Sequence, residues 1–213
     1  MKRRSVLRHC SLGLLAPCAS GVWAQPKPKP KRILVLGDSL SAEYGLARGS
    51  GWVALLDKRL ADQHIPAEVI NASISGETSS GGRARLADLL QKQKPNVVIV
   101  ELGGNDMLRG MPLADSRANL LAIVSAAKAA GAKVLLVGMQ VPPNFGRAYV
   151  ASFGAMYADL ARSEKTGFLP FLLKGVADRP DQEDWFQADR IHPLAKAHPI
   201  ILDNVWPELQ RLL

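Results

Sequence analysis

The chain has 213 residues, 47% hydrophobic and 22% charged, which is too apolar for a disordered chain and long enough for one domain with a sizeable core. Lys and Arg outnumber Asp and Glu by 27 to 19, a formal net charge of +8. Four of those cations, Lys2, Arg3, Arg4 and Arg8, lie in the first 24 residues, and without them the charge is +4. The basic balance is therefore weak evidence for nucleic-acid binding, and no nucleic-acid partner is expected.

Residues 1–24 read as a cleaved export signal: a basic front, a modest apolar stretch from Ser11 to Ala19, and Val22-Trp23-Ala24 as a small-residue site with cleavage before Gln25. The apolar part is far short of the roughly 20 residues of a membrane-spanning helix, and nothing later approaches that length, so no stable membrane insertion is expected. Arg3-Arg4 followed by Ser-Val-Leu-Arg resembles a twin-arginine signal, and a Sec signal fits nearly as well. Either route places the protein in the periplasm or outside the cell. Both cysteines, Cys10 and Cys18, fall inside this leader, leaving the mature chain without a disulfide. Leu15-Ala16-Pro17-Cys18 fits a lipoprotein cleavage box poorly, because proline stands beside the acceptor cysteine. Residues 25–32, where Pro26, Pro28 and Pro30 alternate with lysines, favour an extended solvated spacer. One domain is expected over residues 33–213.

From Ile33 onward strands alternate with helices, which argues a mostly parallel five-stranded sheet covered on both faces, an α/β fold in three layers, α/β/α. The first strand, Ile33 to Leu36, runs straight into Gly37-Asp38-Ser39-Leu40. A helix is expected from Gly51 to Gln63, with Trp52, Leu55, Leu56, Arg59 and Leu60 along its apolar stripe. The second strand is Ala67 to Asn71. A polar loop through Ser75-Gly76-Glu77 follows, then a helix with Leu86, Leu89 and Leu90 on one face. The third strand, Asn96 to Leu102, ends in a loop, Gly103-Gly104-Asn105-Asp106. A long helix runs from Pro112, placed as a first-turn residue, to Ala130, with Gly131 ending it. Lys133 to Met139 forms the fourth strand. The stretch Gln140 to Gly146 is too rich in proline and glycine for regular structure, and a helix follows from Arg147 to Glu164. Gly167 to Phe171 supplies a short edge strand, where Pro170 is tolerated. Lys174 to Arg190 is polar and irregular. A last helix, Ala195 to Leu212, closes the chain, with interruptions near Pro199 and Pro207.

Three loops thus fall at the carboxyl ends of the first three strands, the edge where open α/β sheets bind ligands. Ser39 is a candidate nucleophile there, although Asp-Ser after a strand is also ordinary turn and cap chemistry. A serine needs a base. His9 leaves with the leader, His64 reads as a surface capping residue, and His198 has no acid within a helical turn on its N-terminal side. His192 has Asp189 three residues earlier, and on a single helical turn that spacing lets the acid fix the imidazole tautomer. Capping the last helix is the bland alternative for Asp189. Acyl transfer also needs donors for the developing oxyanion. The Ser39 N–H, the Gly76 N–H and the Asn105 side-chain amide could supply three, while a plain turn and an Asx-turn would account for Gly76 and Asn105 equally well.

Leu36-Gly37-Asp38-Ser39-Leu40, Gly76 within Ser-Ile-Ser-Gly-Glu-Thr, Gly103-Gly104-Asn105-Asp106 and Asp189-x-x-His192-Pro193 together resemble the four ordered blocks of the GDSL, or SGNH, hydrolases. The wording is closest to the bacterial periplasmic thioesterase/lysophospholipase/arylesterase group, and the resemblance spans about Arg32 to Trp206. It implies a flavodoxin-like SGNH-hydrolase fold with Ser39 as nucleophile, His192 as base, Asp189 as its orienter, and Ser39, Gly76 and Asn105 as the oxyanion hole. It also implies a serine esterase cleaving carboxylic esters such as arylesters and lysophospholipids, and acyl thioesters as well, without a metal or cofactor. The partner implied is a small-molecule acyl ester, and a monomer is expected. Met107 departs from the small residue that close relatives often carry after Gly-Gly-Asn-Asp. With Asn144 and Phe145, it is expected to shape substrate binding. The alternatives are a carbohydrate acetylesterase of the same family and a non-catalytic lipid- or glycan-binding module of the envelope.

Overall fold

The computed structural model describes residues 29–213; the expected leader with Cys10 and Cys18, and the first part of the expected spacer, lie outside the described residues. Five strands form one all-parallel sheet: β1 (Lys31–Gly37), β2 (Ala67–Asn71), β3 (Val97–Glu101), β4 (Lys133–Val137) and β5 (Gly167–Leu169), in the order β2-β1-β3-β4-β5. Buried β-branched and leucine runs make these strands. Ile33, Val35, Ile99, Leu135 and Val137 point to one face, whereas Leu34, Leu36, Val98, Val100 and Leu136 point to the other. That alternation, apolar on both sides, requires helices on both faces.

On the first face lie α1 (Trp52–Asp62) and α6 (His198–Gln210); on the second lie α2 (Ser79–Gln93), α4 (Leu113–Ala129) and α5 (Arg147–Glu164). The five-residue α3 (Gly104–Leu108) follows β3 directly. Trp52, Leu56 and Leu60 are the buried edge of α1; Arg59, expected on the same stripe, is half-buried and pairs with Asp203 of α6 at 2.7 Å.

The expected elements are present, with local differences. β1 starts two residues earlier, taking Lys31 and Arg32 from the spacer, because its edge pairs with β2 from Lys31↔Ala67 onward. Asn105 sits in α3, where a loop was expected. Pro112 precedes the first turn of α4 as its N-cap, and β5 stops at Leu169, so Pro170 lies beyond the strand. The last helix begins as a 3₁₀ turn, Ala195–Ala197, before α6; it accommodates Pro199 in its first turn and carries Pro207 inside.

The strand order reverses direction between β1 and β3: the chain goes from β1 to β2 on one side and crosses to β3 on the other. The connections after β1 and β3 therefore diverge and leave a crevice at the carboxyl edge. Ser39 follows β1 and Asn105 follows β3, so both stand at that crevice.

Candidate active site

Ser39 is placed by the turn that ends β1. The Asp38 carboxylate accepts from Leu40 N–H (3.0 Å), and the Asp38 carbonyl accepts from Ser41 N–H (3.2 Å) and Ala42 N–H (3.0 Å). The turn chemistry of Asp-Ser is therefore real, and it leaves Ser39 half-buried at the crevice. Asn71, at the end of β2, donates to Ser41 O at 2.8 Å and fixes the far side of the turn.

Ser39 Oγ lies 2.8 Å from His192 Nε2, and His192 Nδ1 lies 2.7 Å from Asp189 Oδ2. The three groups form a continuous relay, but Asp189 and His192 do not share a helical turn. The segment is an Asx-type turn: Asp189 Oδ1 accepts from Ile191 N–H (2.9 Å) and His192 N–H (3.0 Å), and Arg190 takes the left-handed conformation at φ 58°. A carboxylate and a side chain three residues on can meet in either geometry, and the left-handed Arg190 excludes the helix. A two-stranded closure holds this turn, with Phe186 bridged antiparallel to Pro193, Gln187 N–H donating to His192 O at 2.8 Å and Leu194 N–H to Trp185 O at 2.8 Å. Hydrogen bonds from His192, the backbone N–H foremost, bring the Asp189 carboxyl down to about 2, so it is ionised throughout the neutral range.

Gly76 has φ 78°, a conformation that favours glycine, and its carbonyl accepts from Arg109 at 2.8 Å. Arg85 pairs with the Glu77 carboxylate at 2.6 Å, anchoring the same loop. Among the described residues, neither the Ser39 nor the Gly76 N–H is engaged in a hydrogen bond. Asn105 Nδ2 donates to Asp38 Oδ2 and to Glu77 O, both at 3.0 Å, which draws the ends of β1 and β3 and the Gly76 loop together. Gly103, just before α3, has φ 115°, and a Cβ there would collide with the Tyr157 hydroxyl. Asp106 is buried and accepts from Ser79 N–H, Ser79 Oγ–H and Ser116 Oγ–H, tying α3 to the starts of α2 and α4.

Asp38 is itself buried beside Glu101, the last residue of β3. Glu101 Oε2 accepts from Asp38 N–H (3.2 Å) and Ser41 Oγ–H (2.8 Å). Burial pushes the Asp38 carboxyl up to about 6 and the Glu101 carboxyl well above the usual range. An acid at the end of an otherwise apolar strand was the available signal for this pair.

A cavity of about 690 Å³ opens beside Ser39 and His192. Met107, Met139, Val141, Phe171, Leu173 and Phe186 give it an apolar lining, to which Asp178, Glu183 and Arg190 add charged groups. Met107, expected to shape substrate binding, is one of the lining residues. Asn144 and Phe145 are not brought to this cavity: both are exposed, and Phe145 stacks on Tyr149 at 6.0 Å. Two further histidines among the described residues stand apart from the relay. His64 Nδ1 lies 3.1 Å from Asp62 O on the surface, whereas buried His198 accepts from Trp52 N–H at 3.0 Å and caps α1.

Fold and site together define a class, a serine hydrolase of ester bonds on the SGNH architecture. The chain belongs to the GDSL-like lipase/acylhydrolase family, whose model matches residues 35–200. It is 49% identical over 200 residues to esterase TesA of Pseudomonas aeruginosa, across 94% of this chain and 98% of that one. It is 42% identical over 181 residues to thioesterase 1/protease 1/lysophospholipase L1 of Escherichia coli, across 85% and 84% of the two chains. The crystal structure of TesA matches with a TM-score of 0.82 at 51% identity, over 86% of this chain and all of that one.

Proposed function

We propose that the protein cleaves medium- to long-chain acyl esters, arylesters and lysophospholipids among them, through an acyl-enzyme on Ser39. The observation that carries this reading is the relay from Asp189 through His192 to Ser39 opening into an apolar cavity. The Asp189 carboxylate accepts a hydrogen bond from Nδ1–H, which holds the tautomer in which Nε2 is free to take the Ser39 proton as Oγ attacks the acyl carbonyl. The resulting oxyanion is met by the Ser39 and Gly76 N–H groups and by Asn105 Nδ2. To donate to it, Asn105 shares or releases its bond to Glu77 O, while the bond to Asp38 keeps the amide oriented. The imidazolium then protonates the leaving oxygen, and water repeats the sequence on the acyl-enzyme. No metal or cofactor enters the scheme, and acyl thioesters follow the same path with a thiol leaving. The relatives' names, esterase and thioesterase/lysophospholipase, support this substrate range.

The expected leader of residues 1–24 and the spacer before a single catalytic domain support an exported enzyme, periplasmic or secreted. No helix of the described residues is long and apolar enough to cross a membrane. A series of p-nitrophenyl esters from acetate to palmitate tests the acyl class. We expect kcat/KM to rise beyond butyrate as the chain fills the cavity, each buried methylene adding up to about 0.8 kcal/mol. Activity confined to acetate and butyrate would mark a deacetylase instead.

A further inference from the structure

Tyr44 has no part in the relay, yet its ring lies 4.3 Å from the His192 imidazole, centroid to centroid, with the planes tilted by 38°. It remains 48% exposed and does not line the acyl cavity. The residue is nonetheless firmly held. Gln187 Nε2–H donates to Tyr44 O at 2.9 Å, while the backbone N–H of the same glutamine donates to His192 O, so one residue ties Tyr44 to the histidine. The neighbouring Glu43 carboxylate accepts from Gly49 N–H (2.9 Å) and Gly51 N–H (2.8 Å), closing the loop that presents the ring.

The reaction geometry gives this exposed ring a use. With the acyl chain in the cavity and the carbonyl carbon at Ser39 Oγ, the leaving oxygen must reach His192 Nε2 to receive its proton. The group attached to that oxygen therefore lies beside the imidazole and outside the acyl cavity, where Tyr44 stands. We infer that Tyr44 is the leaving-group platform, a specificity residue whose open ring stacks an aromatic alcohol as it departs and favours aryl over alkyl esters of the same acid. In that step the bond from carbonyl carbon to leaving oxygen breaks, the ester carbonyl re-forms on Ser39, and the Nε2 proton goes to the departing phenoxide oxygen, which leaves as phenol. The inference rests on the acyl-enzyme reading above.

Phenyl and ethyl hexanoate test it, because both deliver the same acyl-enzyme and differ only in acylation, which kcat/KM reads. Loss of an aromatic pair predicts that Tyr44→Ala lowers kcat/KM for the phenyl ester about three- to tenfold and leaves the ethyl ester within about twofold. Tyr44→Phe should restore the phenyl ester, and Tyr44→Leu, which keeps bulk without the ring, should not. Equal losses on both esters would overturn the platform and make Tyr44 only a support for His192, and unchanged values on both would overturn it too. A Ser39→Ala protein active on both esters would instead sink the underlying acyl-enzyme reading.

Discussion

Asp38 stands next to the serine but faces inward, and its role follows from what its two oxygens hold. Oδ1 accepts from Leu40 N–H and shapes the turn; Oδ2 accepts from Asn105 and orients the amide proposed to meet the oxyanion. Both tasks need lone pairs, so the proton of the buried pair belongs on Glu101, one strand away. An unfolded glutamate ionises near pH 4.3, whereas folded Glu101 keeps its proton well above that. Between those values the folded chain binds more protons than the unfolded one, and stability falls as pH rises. Glu101→Gln removes one titrating member while keeping an acceptor and a donor. Its melting temperature should fall less than that of the wild type between pH 4.5 and 8. An identical slope in the two proteins would show that Glu101 is ionised in the fold.

The elements that carry the site were unequally legible in the sequence. Strand β1 and the turn after it could be read locally, since an apolar run meeting Gly-Asp-Ser has few other solutions. The Asp189–His192 spacing was read correctly as a contact and wrongly as a helical turn, because the deciding feature is the left-handed backbone of Arg190. His198 is the clearest case of a non-local partner. It had no acid nearby and no evident role, yet it caps α1 across 146 residues of sequence by accepting from Trp52 N–H. Burial lowers its pKa, so it stays neutral in the fold while an unfolded histidine gains a proton below about pH 6.5. Stability should therefore decline as pH drops below that value. His198→Ala should cost about 2 kcal/mol, about half from the lost cap and the rest from packing. It should also lose the pH dependence below 6.5 that this group confers, with hydrolysis per folded molecule retained. Urea unfolding at pH 5.5 and 8 measures both effects, and an unchanged midpoint at pH 8 would remove His198 from the list of caps.

At the scale of the whole molecule, alternating strands and helices were enough to fix a parallel sheet, and the reversal in strand order places its crevice between β1 and β3. The four sequence blocks meet there although Ser39 and His192 are 153 residues apart. What the sequence could not reveal is the shape of the surroundings. Asn144 and Phe145 looked like pocket residues from their proline-rich loop but turn away to the surface, while Phe171 and Phe186 approach the site through long-range packing that no local pattern encodes. The same architecture makes a single substitution decisive, because every other part of the site acts on the atom at the end of β1. The direct measurement is hydrolysis of p-nitrophenyl hexanoate by Ser39→Ala, with its fold checked by circular dichroism. A loss of at least about a thousandfold in kcat is expected; a folded variant keeping a tenth of the activity would contradict a covalent role for Ser39.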